Sequence, residues 1–399
     1  MKRVSLLVFL AALAFAAVAA AGASTPVLVS GPSPFANCTV GAGTGTVYAN
    51  AISFDRSDNR NGVFSAVSRD NGKTWTNLVA LQAYETNGGQ FSTDKNSVTA
   101  DPRQRGVAYA TWDTLINATD NPDDNPRAFA YTGPGYFSKT SDGGKTWSTP
   151  QVIFPTDQNT QTIGNQIVVA PDGTLYDFAN WIVKPNTFKK ETDQVAFVKS
   201  TDGGATWSAP KAIRKMDVIG VTDPNTGAAI RTGDIIPEAA VDPATGQLYV
   251  VWQTTDFSGG AYDEVALSTS TDGGATWSAP IRVNTPTGKA AFTPSVYVNA
   301  AGTVAVTYYD FRNLGSETTT LPTDYWITYS TDHGATFGGE QHVSGPFDML
   351  SAPFARGYFV GDYEGLVNAG NVFLPFFAQA NSGNTANPTD IFVGRFSNS

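Results

Sequence analysis

Short stretches of alternating apolar and polar residues recur along the chain, and each is bounded by Gly, Pro, Asn or Asp. This pattern is typical of half-buried strands joined by turns. Four units repeat one order: strand, turn, strand, loop, strand, tight turn, strand. Their predicted first strands are Ser97–Asp101, Gln166–Ala170, Glu238–Asp242 and Ser295–Asn299. Outside the apolar N-terminus no helical period is visible, so the pattern predicts an all-β protein.

Two units are incomplete in this pattern. The first, residues 38–80, is short and its first strand is doubtful, while the last has only three strands: Tyr363–Leu366, Val372–Gln379 and Asp390–Phe396. The isolated strand Thr25–Ser30 has no partner nearby in sequence, so we expect it to complete the last unit. Such pairing would remove an exposed sheet edge. Four-stranded meanders in series are typical of propeller blades.

One motif marks the tight turns of five units. The eight residues Ser200–Trp207 recur unchanged at Ser270–Trp277. Close variants occupy Ser68–Trp75, Thr140–Trp147 and Ser330–Phe337, so that the motif returns every 60 to 72 residues. An Asp followed by Gly or Asn turns the chain, because its carboxylate accepts backbone N–H groups and Gly tolerates positive φ. The five aspartates, Asp70, Asp142, Asp202, Asp272 and Asp332, are therefore predicted to be structural.

The motif resembles the Asp-box of the sialidase and BNR-repeat proteins, S/T-x-D-x-G-x-T-W/F. The resemblance implies an all-β, six-bladed β-propeller with Asp-box repeats, whose ring is closed by the N-terminal strand in the last blade. Five boxed blades and the composite one make six, and a five- or seven-bladed ring is the alternative.

The N-terminus predicts export. Basic Lys2 and Arg3 precede the apolar run Val4–Ala21, and small residues follow at 21–23, as in a secretory signal peptide. We therefore expect residues 1–23 to be removed and residues 24–399 to form a single secreted, monomeric domain without a membrane span. A net charge of −10 argues against nucleic acid or anionic membrane as partner. The only cysteine, Cys38, excludes an internal disulfide.

Strand order separates two faces of this fold. The boxes lie on one face, so the links between units and the loops after the second strands meet on the other. That face gathers carboxylates, arginines and aromatic residues: Asp94, Trp112, Asp113, Trp181, Arg231, Glu238, Arg312, Arg356, Asp362 and Tyr363. Aromatic rings stack on sugars, while arginines and carboxylates bond hydroxyl and anionic groups. A glycan or polysaccharide partner is expected; the alternative is that polar residues merely cover an open end.

The resemblance also implies site roles. Sialidases use a Tyr nucleophile with a Glu, an Asp acid/base and three arginines that clamp the substrate carboxylate. Tyr363 and Glu238 match the first pair, and either Asp94 or Asp113 matches the acid/base. Arg231, Arg312 and Arg356 are the candidate clamp, with Trp112, Trp181 and Asp362 as further substrate-binding residues. The motif of the family's first arginine is absent, and Gln253 stands where its second would be.

The predicted function is a secreted glycoside hydrolase acting on terminal sugars, either an exo-α-sialidase or a related glycosidase. In a glycosidase for another sugar, two of Glu238, Asp94 and Asp362 would act as a pair. The remaining alternative is a non-catalytic propeller that binds carbohydrate or a cell surface. No cofactor is expected. The segment 120–124 is rich in oxygen ligands for Ca²⁺, although a solvated turn is the favoured interpretation. His333 and His342 are too separate for a zinc site.

Overall fold

A computed structural model describes residues 27–28, 38–43, 45–55, 57–85, 88–120, 130–184, 192–381, 383–384 and 386–398. The predicted signal peptide lies outside these residues. Across these described ranges the chain forms strands and one 3-10 turn, Met349–Ser351, and contains no α-helix. The predicted all-β class is confirmed. In the same ranges, no helical segment has the length and apolar character that crossing a bilayer requires.

Four-stranded antiparallel groups follow one another along the chain, and we number them I to VI. Sheet I contains Cys38–Gly43, Thr46–Phe54, Asn61–Ser68 and Thr76–Tyr84. Sheet II contains Phe91–Ala100, Ala108–Ile116, Gly135–Thr140 and Gln151–Phe154. Sheet III contains Thr160–Val169, Leu175–Val183, Asp193–Ser200 and Lys211–Met216. The short strand Thr132–Gly133 pairs with both II and III and joins them into one hydrogen-bonded sheet.

The C-terminal half continues the series. Sheet IV contains Glu238–Val241, Leu248–Thr254, Glu264–Ser270 and Ile281–Arg282. Sheet V contains Ala291–Val298, Val304–Asp310, Pro322–Ser330 and Gly338–Asp348. Sheet VI contains Gly365–Ala369, Val372–Ala380, Thr389–Val393 and the N-terminal Val27–Leu28. A separate small sheet joins Val221–Thr222, Ala229–Arg231 and Tyr358–Phe359.

Both incomplete units of the sequence pattern are four-stranded in the structure. Val27 pairs with Val393 and Leu28 with Phe392, so the N-terminal strand supplies the fourth strand of sheet VI, as expected. Cys38–Gly43 pairs along its full length with residues 46–51 and completes sheet I, whose first strand the sequence left in doubt. The two ends of the chain therefore meet in one sheet.

Hydrogen bonds join each sheet to the next one along the chain. Their donor and acceptor pairs are Asn50 to Ser97, Thr111 to Asn165, Ala239 to Gln166, Ser295 to Glu238 and Tyr309 to Ala378. The aromatic ring that ends a box packs against the preceding sheet, with ring centroids 5.3 Å apart for Trp207 and Phe137 and 6.0 Å for Trp277 and Phe197. The boxes thus contribute to packing between sheets.

Each box is held by one network of hydrogen bonds. In the copy on sheet III, Asp202 accepts from the Ser200 hydroxyl, from the Thr206 backbone N–H at 2.9 Å and from the Thr206 hydroxyl. Gly204 has φ +92°, and an added Cβ there would lie 2.6 Å from the Phe137 ring, so a side chain is excluded. Side-chain and backbone hydrogen bonds from Thr206 lower the pKa of Asp202 to about 2.

The box aspartates predict a particular acid sensitivity. Because the folded-state pKa of Asp202 is depressed, its contribution to stability is present above the ordinary carboxyl pKa and is lost as pH falls towards about 2. We expect Asp202→Asn to lower the melting temperature at neutral pH and to weaken its decline in acid. Differential scanning calorimetry between about pH 2 and pH 7 measures this. Asp256→Asn, at an exposed position, is the control; equal acid dependence in Asp202→Asn and wild type would contradict the prediction.

Candidate functional site

An ion-pair network centred on Asp362 joins three distant parts of the chain. Arg231 donates to both oxygens of Asp362, from Nε at 3.0 Å and from Nη2 at 2.7 Å. The Nζ of Lys95 forms a further ion pair with Asp362 Oδ2. The side chains of Lys95 and Asp362 are only 9% and 8% exposed, whereas that of Arg231 is 30% exposed. Burial alone would raise the pKa of Asp362, but hydrogen bonds from Arg231 and the charge of Lys95 hold it below its usual value.

Local backbone geometry places these three side chains. Lys95 lies in a β-bulge of sheet II, where the register shifts between Asp94 and Ser97 and Lys95 has φ +41°. A bulge turns a side chain away from the regular alternation of a strand. Arg231 ends a strand of the small sheet, where it pairs with Phe359 and stacks on that ring at 4.3 Å. The small sheet therefore holds Arg231 beside the segment that leads to Asp362.

A glycine allows the closest approach in this region. Gly233 follows the Arg231 strand with φ +61°, and a Cβ there would lie 2.1 Å from the backbone oxygen of Asp362. Only a residue without a side chain fits between these two backbone segments. The link from the small sheet to sheet IV is thereby packed directly against the start of sheet VI.

Two aspartates face each other across the first two strands of sheet II. Asp94 and Asp113 are cross-strand partners, so their side chains lie on the same face. Burial raises the pKa of Asp113 well above its usual value, and the negative charge of Asp94 raises it further, while Lys95 and the Gly164 N–H oppose the shift. Asp113 is 5% exposed, whereas Asp94 is half-buried. Burial thus favours the protonated form of Asp113, and Asp94 is the more accessible of the two side chains.

Tyr363 lies in the same region, since the Lys95 Nζ is 5.8 Å from the centroid of its ring. We call the residues gathered here the Asp362 cluster. Its members are Asp94, Lys95, Asp113, Arg231, Asp362 and Tyr363. They come from sheet II, from the link before sheet IV and from the segment before sheet VI. The sequence predicted five of these six as site residues.

Glu238 belongs to a half-buried carboxyl pair, whose other member, Glu364, directly follows Tyr363 of this cluster. Its Oε2 accepts from Ser295 Oγ at 2.8 Å, and burial raises the pKa of Glu238 to about 8. Glu364, which directly follows Tyr363, accepts from the Tyr309 hydroxyl at 2.8 Å. Burial raises the pKa of Glu364 well above its usual value, and the charge of Glu238 raises it further. Glu238 is therefore coupled electrostatically to the segment that carries Tyr363, and the raised pKa of both carboxyl groups favours their protonated forms.

Arg312 and Arg356 are placed differently from Arg231. Arg312 donates to Asp310 from Nε at 2.6 Å and to Glu340 from Nη1 at 2.5 Å, and it stacks on Trp326 at 3.6 Å. Glu340 also lines an open groove of about 360 Å³ beside residues 282–286 of sheet IV. Arg356 is exposed, with φ +64°, in the turn before the Tyr358–Phe359 strand. Of the predicted clamp residues, Arg231 alone belongs to the Asp362 cluster.

Trp112 and Trp181, which the sequence predicted to bind substrate, pack against other residues of the protein. Trp112 is fully buried, donates from Nε1 to Gln82 at 2.6 Å and stacks on Tyr136 at 5.9 Å between ring centroids. Trp181 is partly buried and packs edge-on against Phe154 at 5.8 Å. The ring of Trp112 is thus covered by protein. A tryptophan near the end of a strand can pack between two sheets as well as line a binding site, and the sequence pattern is the same in both cases.

Two important residues were not selected from the sequence. Lys95 is the only lysine of the cluster, and Glu364 forms the half-buried carboxyl pair with Glu238. The consecutive acidic and aromatic residues Asp362, Tyr363 and Glu364 were a usable signal, since three such side chains at the start of a strand rarely all face solvent. The small sheet that positions Arg231 could not be predicted from the sequence. Its strands contain only two or three residues, which is too short to show an alternating pattern.

Metal binding finds no support in the described ranges, which contain no group of three or more His, Cys, Asp or Glu residues able to hold an ion. Of the oxygen-rich segment 120–124, only Asp120 is among the described residues. Its Oδ1 accepts from the backbone N–H groups of Gly88 at 2.6 Å and Gln90 at 3.3 Å. Asp120 therefore ties two loops together, and residues 121–124 lie outside the described residues.

Comparison with known proteins gives a family-model match. Residues 136–236 match the model of a BNR repeat-like domain, which contains two of the five boxes, at Asp142 and Asp202. No curated protein sequence matches the chain significantly.

Solved structures share the fold at low identity. The Hadza microbial sialidase Hz136 aligns with a TM-score of 0.54 and 16% identity over 89% of this chain and 64% of its own. The NanB sialidase from Streptococcus pneumoniae, as its K499G mutant, gives 0.53 and 12% over 91% and 68%. The intramolecular trans-sialidase from Ruminococcus gnavus gives 0.51 and 14% over 92% and 95%. The chain thus spans less than two thirds of the length of Hz136. The predicted resemblance to sialidase and BNR-repeat proteins is confirmed.

Proposed function

We propose that this protein is a six-bladed β-propeller of sialidase-like fold that hydrolyses glycosidic bonds at the Asp362 cluster. The architectural part rests on six four-stranded groups in chain order, each hydrogen-bonded to the next. Pairing of Val27–Leu28 with the last strand and the link from Lys95 of sheet II to Asp362 before sheet VI bring the ends of the series together. A closed ring of blades accounts for both.

The chemical part rests on one observation: the carboxyl pair Asp94 and Asp113 adjoins Lys95, which contacts both Tyr363 and Asp362. Glycoside hydrolysis uses two groups in different protonation states, one that transfers a proton and one that attacks or stabilises the sugar. Here burial favours the protonated form of Asp113, and Asp94 is the more accessible of the two groups. In this proposal Asp94 is the acid/base and Tyr363 the nucleophile.

The remaining groups orient these two. Lys95 contacts Asp362 and lies over Tyr363, so it fixes the segment 362–363 and places a positive charge near the phenol. A nearby cation favours the ionised, nucleophilic form of a phenol. Burial raises the pKa of Glu238 and Glu364 and so favours their uncharged forms, which do not repel an ionised phenol. We also propose, from the N-terminal pattern alone, that residues 1–23 direct secretion and that 24–399 form one domain.

The direct test is a panel of fluorogenic reporter glycosides that includes a sialoside and several other terminal sugars. We expect wild-type protein to release the reporter from at least one member, at least tenfold faster than a Tyr363→Phe/Glu238→Gln double variant. Tyr262→Phe, a half-buried tyrosine outside the cluster, is the matched control. If wild type and the double variant are equally inert on every member, hydrolysis is contradicted. Retained binding to a glycan array in that case would identify a carbohydrate-binding propeller.

A further inference from the structure

The positive charges of the candidate site are already paired with the protein's own carboxylates. Asp362 receives two hydrogen bonds from Arg231 and an ion pair from Lys95. The paired geometry of guanidinium and carboxylate is the one by which an arginine would hold a carboxylate on a ligand. Asp362 therefore occupies the position on Arg231 that an anionic sugar would need.

The place where the resemblance implies a second arginine is filled by a structural glutamine. Gln253 donates from Nε2 to Asp263 Oδ2 at 3.2 Å and accepts the Thr293 backbone N–H at 2.9 Å. It is 1% exposed. One end of its amide thus binds Asp263 next to sheet IV and the other holds the bulge of sheet V, so Gln253 offers no charge to a ligand.

The guanidinium of Arg312 is also paired with carboxylates of the protein. Two carboxylates, Asp310 and Glu340, and the Trp326 ring surround its guanidinium, and its side chain is 16% exposed. A ligand carboxylate would have to displace one of these buried partners. Separating a buried ion pair leaves an uncompensated charge and is strongly unfavourable. Of the predicted clamp residues, Arg356 is left to bind a ligand carboxylate. It is exposed on a turn, and a solvated cation binds an anion weakly.

The surroundings add negative charge. Asp234 lies on the same link as Arg231, and burial followed by the charges of Asp263 and Asp193 raises its pKa to about 6. Asp94 contributes a further carboxylate next to Lys95. A mouth with more carboxylates than free cations repels anionic ligands, and the net charge of −10 acts in the same direction.

We propose that this site takes sugar units without a carboxylate, so that the substrate is an uncharged glycoside rather than a sialoside or a uronide. The inference rests on the proposed glycoside hydrolysis and specifies its substrate class. Sugar hydroxyls can donate to Asp94 and accept from the exposed edge of Arg231 without separating Arg231 from Asp362. An anionic sugar would have to break that pair.

The test compares charged and uncharged members of the reporter panel on the full-length protein. The anionic members are a sialoside and a glucuronide, and the uncharged members are a galactoside, glucoside, fucoside and arabinofuranoside. We expect the best uncharged member to exceed both anionic ones by at least tenfold in kcat/KM. A preference for an anionic member would overturn this inference while leaving hydrolysis intact. If no member is cleaved, the proposed hydrolysis is contradicted and the inference fails with it.

A charge-removing variant tests the role of Asp362 itself. Asp362→Asn should free Arg231 and raise the ratio of kcat/KM for anionic over uncharged members by at least tenfold. Asp256→Asn removes a carboxylate from the exposed pair with Arg214, 3.5 Å apart, and should leave the ratio unchanged. An unchanged ratio in folded Asp362→Asn contradicts the proposal, with folding checked by thermal melting. If that variant does not fold, the wild-type panel decides.

Discussion

Replacing Asp94 with asparagine is expected to lower kcat/KM for the best reporter glycoside by about 10²- to 10⁴-fold, the usual worth of a positioned acid/base. Asn keeps the size of Asp94 but cannot exchange a proton with the glycosidic oxygen. Because Asp94 is half-buried and opposite Asp113, its substitution leaves the strand pairing of sheet II in place. Steady-state kinetics with reporters of differing leaving-group ability measures the loss, which should be greatest for the poorest leaving group.

The companion variant Asp113→Asn separates a proton-holding role from a structural one. Burial and the charge of Asp94 keep the pKa of Asp113 well above its usual value, so Asp113 ionises at a higher pH than an ordinary carboxyl group. Its ionisation would place a second negative charge beside Asp94. We therefore expect the alkaline limb of the kcat/KM profile to move or disappear in Asp113→Asn. An unaltered pH profile would show that Asp113 is only a packing residue.

The repeating part of the fold was predictable because it is local. Every box turn is fixed by residues within one short motif, as Ser200, Asp202 and Thr206 show by bonding one another. The first strand of sheet IV was predicted at Glu238–Asp242 and is observed at Glu238–Val241. Pairing of the N-terminal strand with sheet VI was also predictable, because the count of strands left one place vacant.

The site was predictable only in part, because its contacts join residues far apart in sequence. The ion pair between Lys95 and Asp362 has no local sequence signature, and it depends on a bulge that a regular strand pattern hides. Arg312 and Trp112 were predicted as ligand contacts from their residue types and their places near strand ends. In the structure Arg312 is surrounded by Asp310, Glu340 and Trp326, and Trp112 is packed on Tyr136. The residue type shows which groups a side chain can bind, but packing decides whether those groups belong to the protein or to a ligand.

Asp177 should be a source of instability rather than of function, and removing its carboxyl group is expected to stabilise the protein. It lies on the second strand of sheet III between Tyr176 and Phe178, is 0% exposed, and neither carboxyl oxygen has a hydrogen-bond partner among the described residues. Burial raises the pKa of Asp177 well above its usual value. A buried polar group without partners costs about 1–3 kcal/mol in proteins. We expect Asp177→Val to increase the free energy of unfolding by about that amount at neutral pH.

The pH dependence gives a sharper test. Because the folded-state pKa of Asp177 is raised, its protonated form favours folding at low pH, and that contribution is lost as pH rises through the folded-state value. As pH rises above the ordinary carboxyl pKa, wild-type protein should therefore lose stability more steeply than Asp177→Val. Urea unfolding from about pH 4 upwards measures the two slopes. Asp256→Val, at an exposed position, should change stability by less than about 0.5 kcal/mol. Parallel pH curves for wild type and Asp177→Val would show that an unseen partner, such as a buried water, already satisfies this carboxyl group.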